Sequence, residues 1–212
     1  MDNRYVKIFA SGSKAPLKAT PGHFATNHAH INYYLDMTTL KTRLSEAQEV
    51  AKHLAERFLF DKVVDTIVCL EGTQVIGAYL AEELTRAGVL STNAHKTIYV
   101  ITPEYNSNSQ MVFRENILPM VHGKNVVILT AVVTTGLSLN KSIEAIQYYG
   151  KLQSAAAVFS TLDELNGCPI TSIYSPEDVT DYIYYDYRKC PLCEKGIKLD
   201  ALVNAYGYTT LG

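Results

Sequence analysis

The sequence predicts an α/β fold: a parallel, doubly wound sheet with a loop-rich N-terminal segment and a C-terminal appendage. Three observations carry that expectation. Short apolar runs alternate with segments of helical period. Those runs are continuous rather than alternating, as strands buried on both faces are. One of them, 126–132, runs into a loop of hydroxyl residues and one glycine and then into a helical segment, the βα junction of an open parallel sheet.

The first forty residues read as loop, with Gly12, Pro16, Pro21 and Gly22 ahead of Tyr33 and Tyr34. A helix is expected over 45–60, because Leu44, Ala47, Val50, Ala51, Leu54 and Phe58 share one face, and Ser45 with Gln48 reads as its capping box. Then come a strand at 64–70, a helix at 74–87 stopped by Gly88, and a strand at 97–101. The rhythm breaks over 102–123, too long for an ordinary connection and uncharged over 105–113, which reads as a lid. It resumes with a strand at 126–132, a helix at 139–149 ended by Gly150, a strand at 155–159 and a fifth at 170–174. Residues 181–187 alternate like a strand, followed by Cys190-Pro191-Leu192-Cys193 and a short helix.

Composition bounds the function classes. At 212 residues a single domain is expected, with a core at 45–174 flanked by 1–44 and 175–212. Lys and Arg number 19 against 21 Asp and Glu, a net charge of −2, which argues against a non-specific nucleic-acid binder. The uncharged stretch 125–140 includes four Thr and Ser and falls short of the about 20 apolar residues of a membrane span. The N-terminus lacks the apolar run of a secretory signal. Four cysteines make no disulfide framework, so a reducing cytoplasm is the expected compartment. Fifteen tyrosines and no tryptophan, five of the tyrosines between Tyr174 and Tyr187, point to packing or an interface.

The segment 126–138 carries the most chemistry. A loop at the carboxyl end of a strand presents free N–H groups and the positive end of a helix dipole to an anion. Thr134, Thr135 and Ser138 add donors there, and Gly136 admits close approach. No lysine follows the glycine, so this is not the P-loop. By local chemistry it is either a phosphate cradle or a plain turn capped by hydroxyl residues.

This segment resembles the thirteen-residue signature of the type I phosphoribosyltransferases, which bind 5-phosphoribosyl 1-diphosphate. Every position fits except the acidic pair, occupied here by Thr130 and Ala131. Elsewhere the chain is similar to the orotate branch of the family. The matching stretches are Gly22-His23-Phe24, His30 to Asp36, Cys69 to Gly77, His122-Gly123-Lys124, and the terminal Cys-Pro-Leu-Cys with Gly196 and Leu199. The resemblance implies a type I phosphoribosyltransferase-like core under an N-terminal hood. It implies that Thr134, Thr135, Gly136, Leu137 and Ser138 hold the ribose 5-phosphate, and that Glu71, Gly72 and Thr73 border the diphosphate. Tyr34 then lies near a pyrimidine-like base, Thr130 and Ala131 sit at the ribose, and residues 102–123 close over the site, often across a homodimer interface. Mg²⁺ on the diphosphate is implied as well.

Two departures weigh against ordinary turnover. Losing two charge-assisted hydrogen bonds costs roughly 3–6 kcal/mol, a factor of about 10² to 10⁴ in rate or binding. The start of the lid, 102–109, has no Lys or Arg, where the orotate family carries a catalytic lysine. Glu71 or Asp163 could stand in at the ribose, and Arg114 at the diphosphate. Two readings follow: a transferase moving phosphoribosyl to a pyrimidine-like base, or a non-catalytic ribose-phosphate or nucleotide sensor. An unrelated doubly wound domain is the third. Cys190 and Cys193 have the spacing of half a Zn²⁺ site, completed only if the fold brings in His23, His28 or His30, or else they flank a proline turn as reduced thiols.

Overall fold

The computed structural model describes residues 5–56, 62–86, 91–94 and 96–211. Two sheets organise it. Three N-terminal strands, β1 (Val6–Ile8), β2 (Leu17–Ala25) and β3 (His30–Asp36), lead into helices α1 (Thr38–Thr42) and α2 (Leu44–Glu56). Strand β4 (Thr66–Cys69), helix α3 (Gln74–Thr85) and strand β5 (Tyr99–Ile101) follow, then a small hairpin, β6 (Glu104–Tyr105) with β7 (Met111–Val112). The chain continues through β8 (Asn125–Val133), α4 (Leu137–Tyr149), β9 (Lys151–Ser160), β10 (Glu164–Leu165) and β11 (Cys168–Tyr174). It closes with β12 (Tyr184–Tyr185), α5 (Pro191–Glu194), β13 (Ala201–Asn204) and β14 (Gly207–Thr210).

The core sheet has the order β10-β11-β9-β8-β4-β5, parallel throughout except for the short edge strand β10. Its central strand shows why the runs read as continuous. Val127, Leu129 and Ala131 of β8 pack with α2 and α3 on one face. Val126 and Ile128 pack with α4 on the other. Both faces are covered, so every β8 position from Val126 to Ala131 is buried. Burying one such side chain stabilises by about 1.5–3 kcal/mol, which fixes the strand that ends at the hydroxyl loop. Gly77 sets how closely α3 lies on this sheet: a β-carbon there would collide with Cys69 Sγ and stand 3.1 Å from Val100.

The hood sheet joins both ends of the chain in the order β12-β3-β2-β13-β14, with β1 paired to β2. Leu17, Ala19 and Phe24 of β2, with Ile31, Tyr34 and Leu35 of β3, join the larger core cluster. Tyr174, at the end of β11, reaches across and donates its hydroxyl to the Ala15 carbonyl at 2.5 Å.

Several expectations need correction. The described part of the first forty residues, expected to be loop-rich, is about half strand, in β1, β2 and β3. Pro21 and Gly22 fall inside β2, where the register with β3 shifts between Pro21 and Phe24, and a bulge tolerates both residues. Ser45 caps nothing: α1 runs almost directly into α2, and the Glu46 and Ala47 amides donate to the Arg43 carbonyl instead. The helix expected over 45–60 is described as far as Glu56, and Gly88 lies outside the described residues. Of the alternating stretch 181–187, only Tyr184 and Tyr185 pair, with Ile31 and His30. The expected lid begins as the β6–β7 hairpin, whose Asn106 carboxamide oxygen accepts from the Asn108 and Gln110 amides at 3.0 Å each.

Candidate functional site

A cleft of about 1190 Å³ opens at the carboxyl ends of β4 and β8, where ligands bind in open α/β sheets. It is lined by the hydroxyl loop, by Leu70 and Glu71, by the hairpin residues Tyr105 and Asn108 to Val112, and by hood residues including Tyr34 and Tyr206. Core and hood therefore each contribute a wall.

The hydroxyl loop lies on the cleft floor. Strand β8 ends at Val133 and α4 starts at Leu137, so Thr134, Thr135 and Gly136 form the whole connection. Gly136 has φ +75°, and a β-carbon there would press within 3.0 Å of Leu162 and Leu165. Thr161 ties the loop down by donating its hydroxyl to the Thr134 carbonyl at 2.5 Å. The opening turn of α4 brings the positive end of its dipole to the cleft, and its first amide, that of Leu137, donates to Thr135 Oγ1 at 3.4 Å. Thr134, Thr135, Gly136, Leu137 and Ser138 all line the cleft.

The second loop, Glu71-Gly72-Thr73, turns with two successive left-handed residues, Glu71 at φ +56° and Gly72 at +78°. For a non-glycine residue that conformation costs roughly 1–2 kcal/mol. The carboxylate's bonds offset it. Glu71 Oε2 accepts from Thr130 Oγ1 at 2.7 Å, from the Ala131 amide at 3.1 Å and, more weakly, from the Val132 amide at 3.4 Å. A carboxylate thus sits against the two positions from which the acidic pair is missing. Asp163, the other carboxylate considered, does not line the cleft.

Its loop partners are divided in role. Thr73 faces inward, fully buried, and donates its hydroxyl to the Leu70 and Leu129 carbonyls at 2.7 and 3.1 Å. Neither Gly72 nor Thr73 lines the cleft. Lys41 fastens the loop from beneath, donating to the Glu71 carbonyl at 2.8 Å and to the Ala205 carbonyl at 2.5 Å. Burial lowers its pKa, against the pull of the Glu71 and Asp36 charges.

Cations are placed differently from expectation. Arg114 pairs with Glu104 through two bonds of 2.9 and 2.7 Å on the exposed side of the hairpin and does not line the cleft. Among the described residues the lining Lys or Arg is Lys141, on α4. Sequence reading passed over it, because a lysine one turn into an amphipathic helix looks like solvated surface.

Tyr34 is a wall rather than a platform. It is 8% exposed and packs edge-on against Tyr208 at 5.2 Å between ring centroids. Burial pushes its phenol up to about 12, with Asp36 and Tyr208 adding to the shift. Exposed rings on the cleft include Tyr206, 82% exposed in the β13–β14 turn with Lys41 Nζ 5.9 Å from its centroid, and Tyr105 on the β6–β7 hairpin. Neither stood out in sequence. The signal for the hairpin was the alternation of Ala201 to Asn204 followed by Gly207, a short-turn pattern.

No protein-family model matches the chain. Orotate phosphoribosyltransferase from Pelotomaculum thermopropionicum is 26% identical over 179 residues, 83% of this chain and 85% of that protein. Orotate phosphoribosyltransferase from Mycobacterium tuberculosis superposes with a TM-score of 0.52 at 16% identity, over 77% of this chain and 93% of that one. The same enzyme in complex with 5-phospho-α-D-ribosyl 1-diphosphate gives 0.50 at 16% identity, over 69% and 82%. The fold is that of the type I phosphoribosyltransferases, and the likeness within that family is to the orotate enzymes.

Proposed function

From that phosphoribosyltransferase-like fold we infer that the protein is a working transferase, moving phosphoribosyl from 5-phosphoribosyl 1-diphosphate to a pyrimidine-like base. The observation that carries the reading is the carboxylate of Glu71 bonded to Thr130 and Ala131. It returns negative charge to the ribose end of the signature strand, so the sensor reading, which rested on the absence of that charge and of a lid lysine, is not favoured.

In this reading the α4 amides and the hydroxyls of Thr134, Thr135 and Ser138 hold the ribose 5-phosphate. The bond from the anomeric carbon to the diphosphate oxygen breaks with its electron pair leaving on the diphosphate. A ring nitrogen of the base, its proton released to solvent, supplies the pair for the new bond. Between these events the sugar is cationic, and a carboxylate about 4 Å away stabilises it by about 4 kcal/mol at an effective dielectric of 20. Lys141 meets phosphate charge from α4. The base rests against Tyr34 with Tyr206 or Tyr105 over it, and the β6–β7 hairpin covers the cleft and excludes water.

Magnesium takes one or two carboxylates plus substrate phosphates and keeps several waters. Glu71 fits that demand, since its three protein bonds all use Oε2 and Oε1 remains for a hydrated ion. Bound there, the ion would neutralise charge on the departing diphosphate. The reading includes a homodimer, which light scattering of the full chain tests, with twice the 23.5 kDa chain mass expected. The activity is tested by incubating the protein with 5-phosphoribosyl 1-diphosphate, Mg²⁺ and orotate, uracil or other bases in turn. Diphosphate release that depends on the base is expected. Donor binding by calorimetry without release under any base would contradict the transferase reading.

A further inference from the structure

We propose that His23, His30, Cys190 and Cys193 bind one zinc ion that fastens the C-terminal segment to the hood. The two histidines lie on β2 and β3; Cys190 caps the start of α5 and Cys193 lies within it, more than 150 residues away in sequence. One ligand atom from each lies within 4.8 Å of the others. The cluster stands apart from the residues that line the cleft.

Four of the six separations match the edges of a tetrahedral zinc site. With Zn–N of 2.0–2.1 Å and Zn–S of 2.3 Å, its edges are about 3.3 Å between nitrogens and about 3.6 Å between nitrogen and sulfur. His23 Nε2 is 3.2 Å from His30 Nδ1, 3.4 Å from Cys190 Sγ and 3.7 Å from Cys193 Sγ. His30 Nδ1 is 3.3 Å from Cys193 Sγ.

The supporting bonds fix the donor atoms. His23 Nδ1 lies 3.0 Å from the Ile197 carbonyl, which can only accept. Nδ1 therefore carries the hydrogen, and Nε2 turns a lone pair toward the other three ligands. A carbonyl behind a ligating histidine is the usual orienting partner. On the cysteine side, Pro191 opens the four-residue α5, the Glu194 amide donates to the Cys190 carbonyl at 3.1 Å, and the Gly196 amide donates to Cys193 at 2.9 Å. This turn holds both sulfurs near the histidines. His23 and Cys190 are each about 1% exposed.

Four protein ligands leave no open position, which makes the site structural rather than catalytic. Two thiolates and two imidazoles select zinc over magnesium or calcium, which prefer oxygen. Binding releases the two thiol protons to solvent, and its free energy adds to that of folding. The consequence reaches the cleft, because the tail that follows continues into β13, parallel to β2, and into the turn that presents Tyr206.

The test is elemental analysis of the full chain purified in zinc-containing medium without chelator. Close to one zinc per chain is expected, retained in Cys168→Ser and lost in Cys193→Ser. Since Cys193→Ser could fail to fold, cobalt(II) is also titrated into metal-stripped unaltered protein. Sulfur-to-cobalt charge-transfer and tetrahedral ligand-field bands at one equivalent are expected. Below about a tenth of an equivalent of zinc together with no such bands would overturn the proposal. So would a Cys190–Cys193 disulfide in protein prepared without air. Neither result bears on diphosphate release.

Discussion

The two loops that meet over β8 treat the family pattern in opposite ways. The hydroxyl loop at 134–138 keeps it: a short connection, one left-handed glycine, and a helix start. The opposing side is rewired. There the carboxylate beside Thr130 belongs to Glu71 rather than to the strand, and the lysine lining the cleft, Lys141, is on α4 rather than on the hairpin. The difference is one of physics. A phosphate cradle is made of backbone, which only a particular turn supplies. A carboxylate or an ammonium is a charge on a tether, and any nearby element can deliver it.

That contrast is open to attack from both sides. The largest effect is expected from Glu71→Gln, which keeps the side-chain shape and removes the charge. Its kcat/KM should fall about 100-fold, the scale of losing one electrostatic contact to the transition state, with 5-phosphoribosyl 1-diphosphate affinity changed less. Next, Gly136→Ala attacks the conserved half. The left-handed backbone alone costs about 1–2 kcal/mol, so melting should drop by roughly 2–8 °C, and calorimetry should show weaker binding of the donor. Lys141→Ala should raise KM for the donor roughly tenfold, with the defect shrinking as salt rises. Arg114→Ala should stay within about twofold in steady-state assays, because its exposed pair with Glu104 contributes little.

The core was legible where physics is local. Residues 126–132 are buried on both faces, so their apolar continuity announced β8, and Gly150 marks the end of α4 in both views. The resemblance implied a hood, but its strands were illegible to periodicity because β2 carries Pro21 and Gly22 across a bulge, and punctuation residues inside a strand read as loop. Of the candidate site, the phosphate loop was contiguous and therefore visible. Glu71 was visible as a border of the diphosphate and as one of two carboxylates that could reach the ribose, but its bond to Thr130, 59 residues away, was not. The histidines beside Cys190 and Cys193 were nameable as types, but only the pairing of β2 with β3 and of β13 with β2 places them there. The resemblance implied that Thr73 borders the diphosphate, and in the fold its hydroxyl is taken by the Leu70 and Leu129 carbonyls.

The central claim is that Glu71 does from the facing loop what an acidic pair does from the strand. The direct measurement compares base-dependent diphosphate release in Glu71→Gln with release in Glu71→Gln carrying Thr130→Glu and Ala131→Asp. The account predicts that returning the acids recovers at least about tenfold of the lost kcat/KM, because the charge matters and its tether does not. Glu71→Gln turning over as fast as the unaltered protein would contradict it.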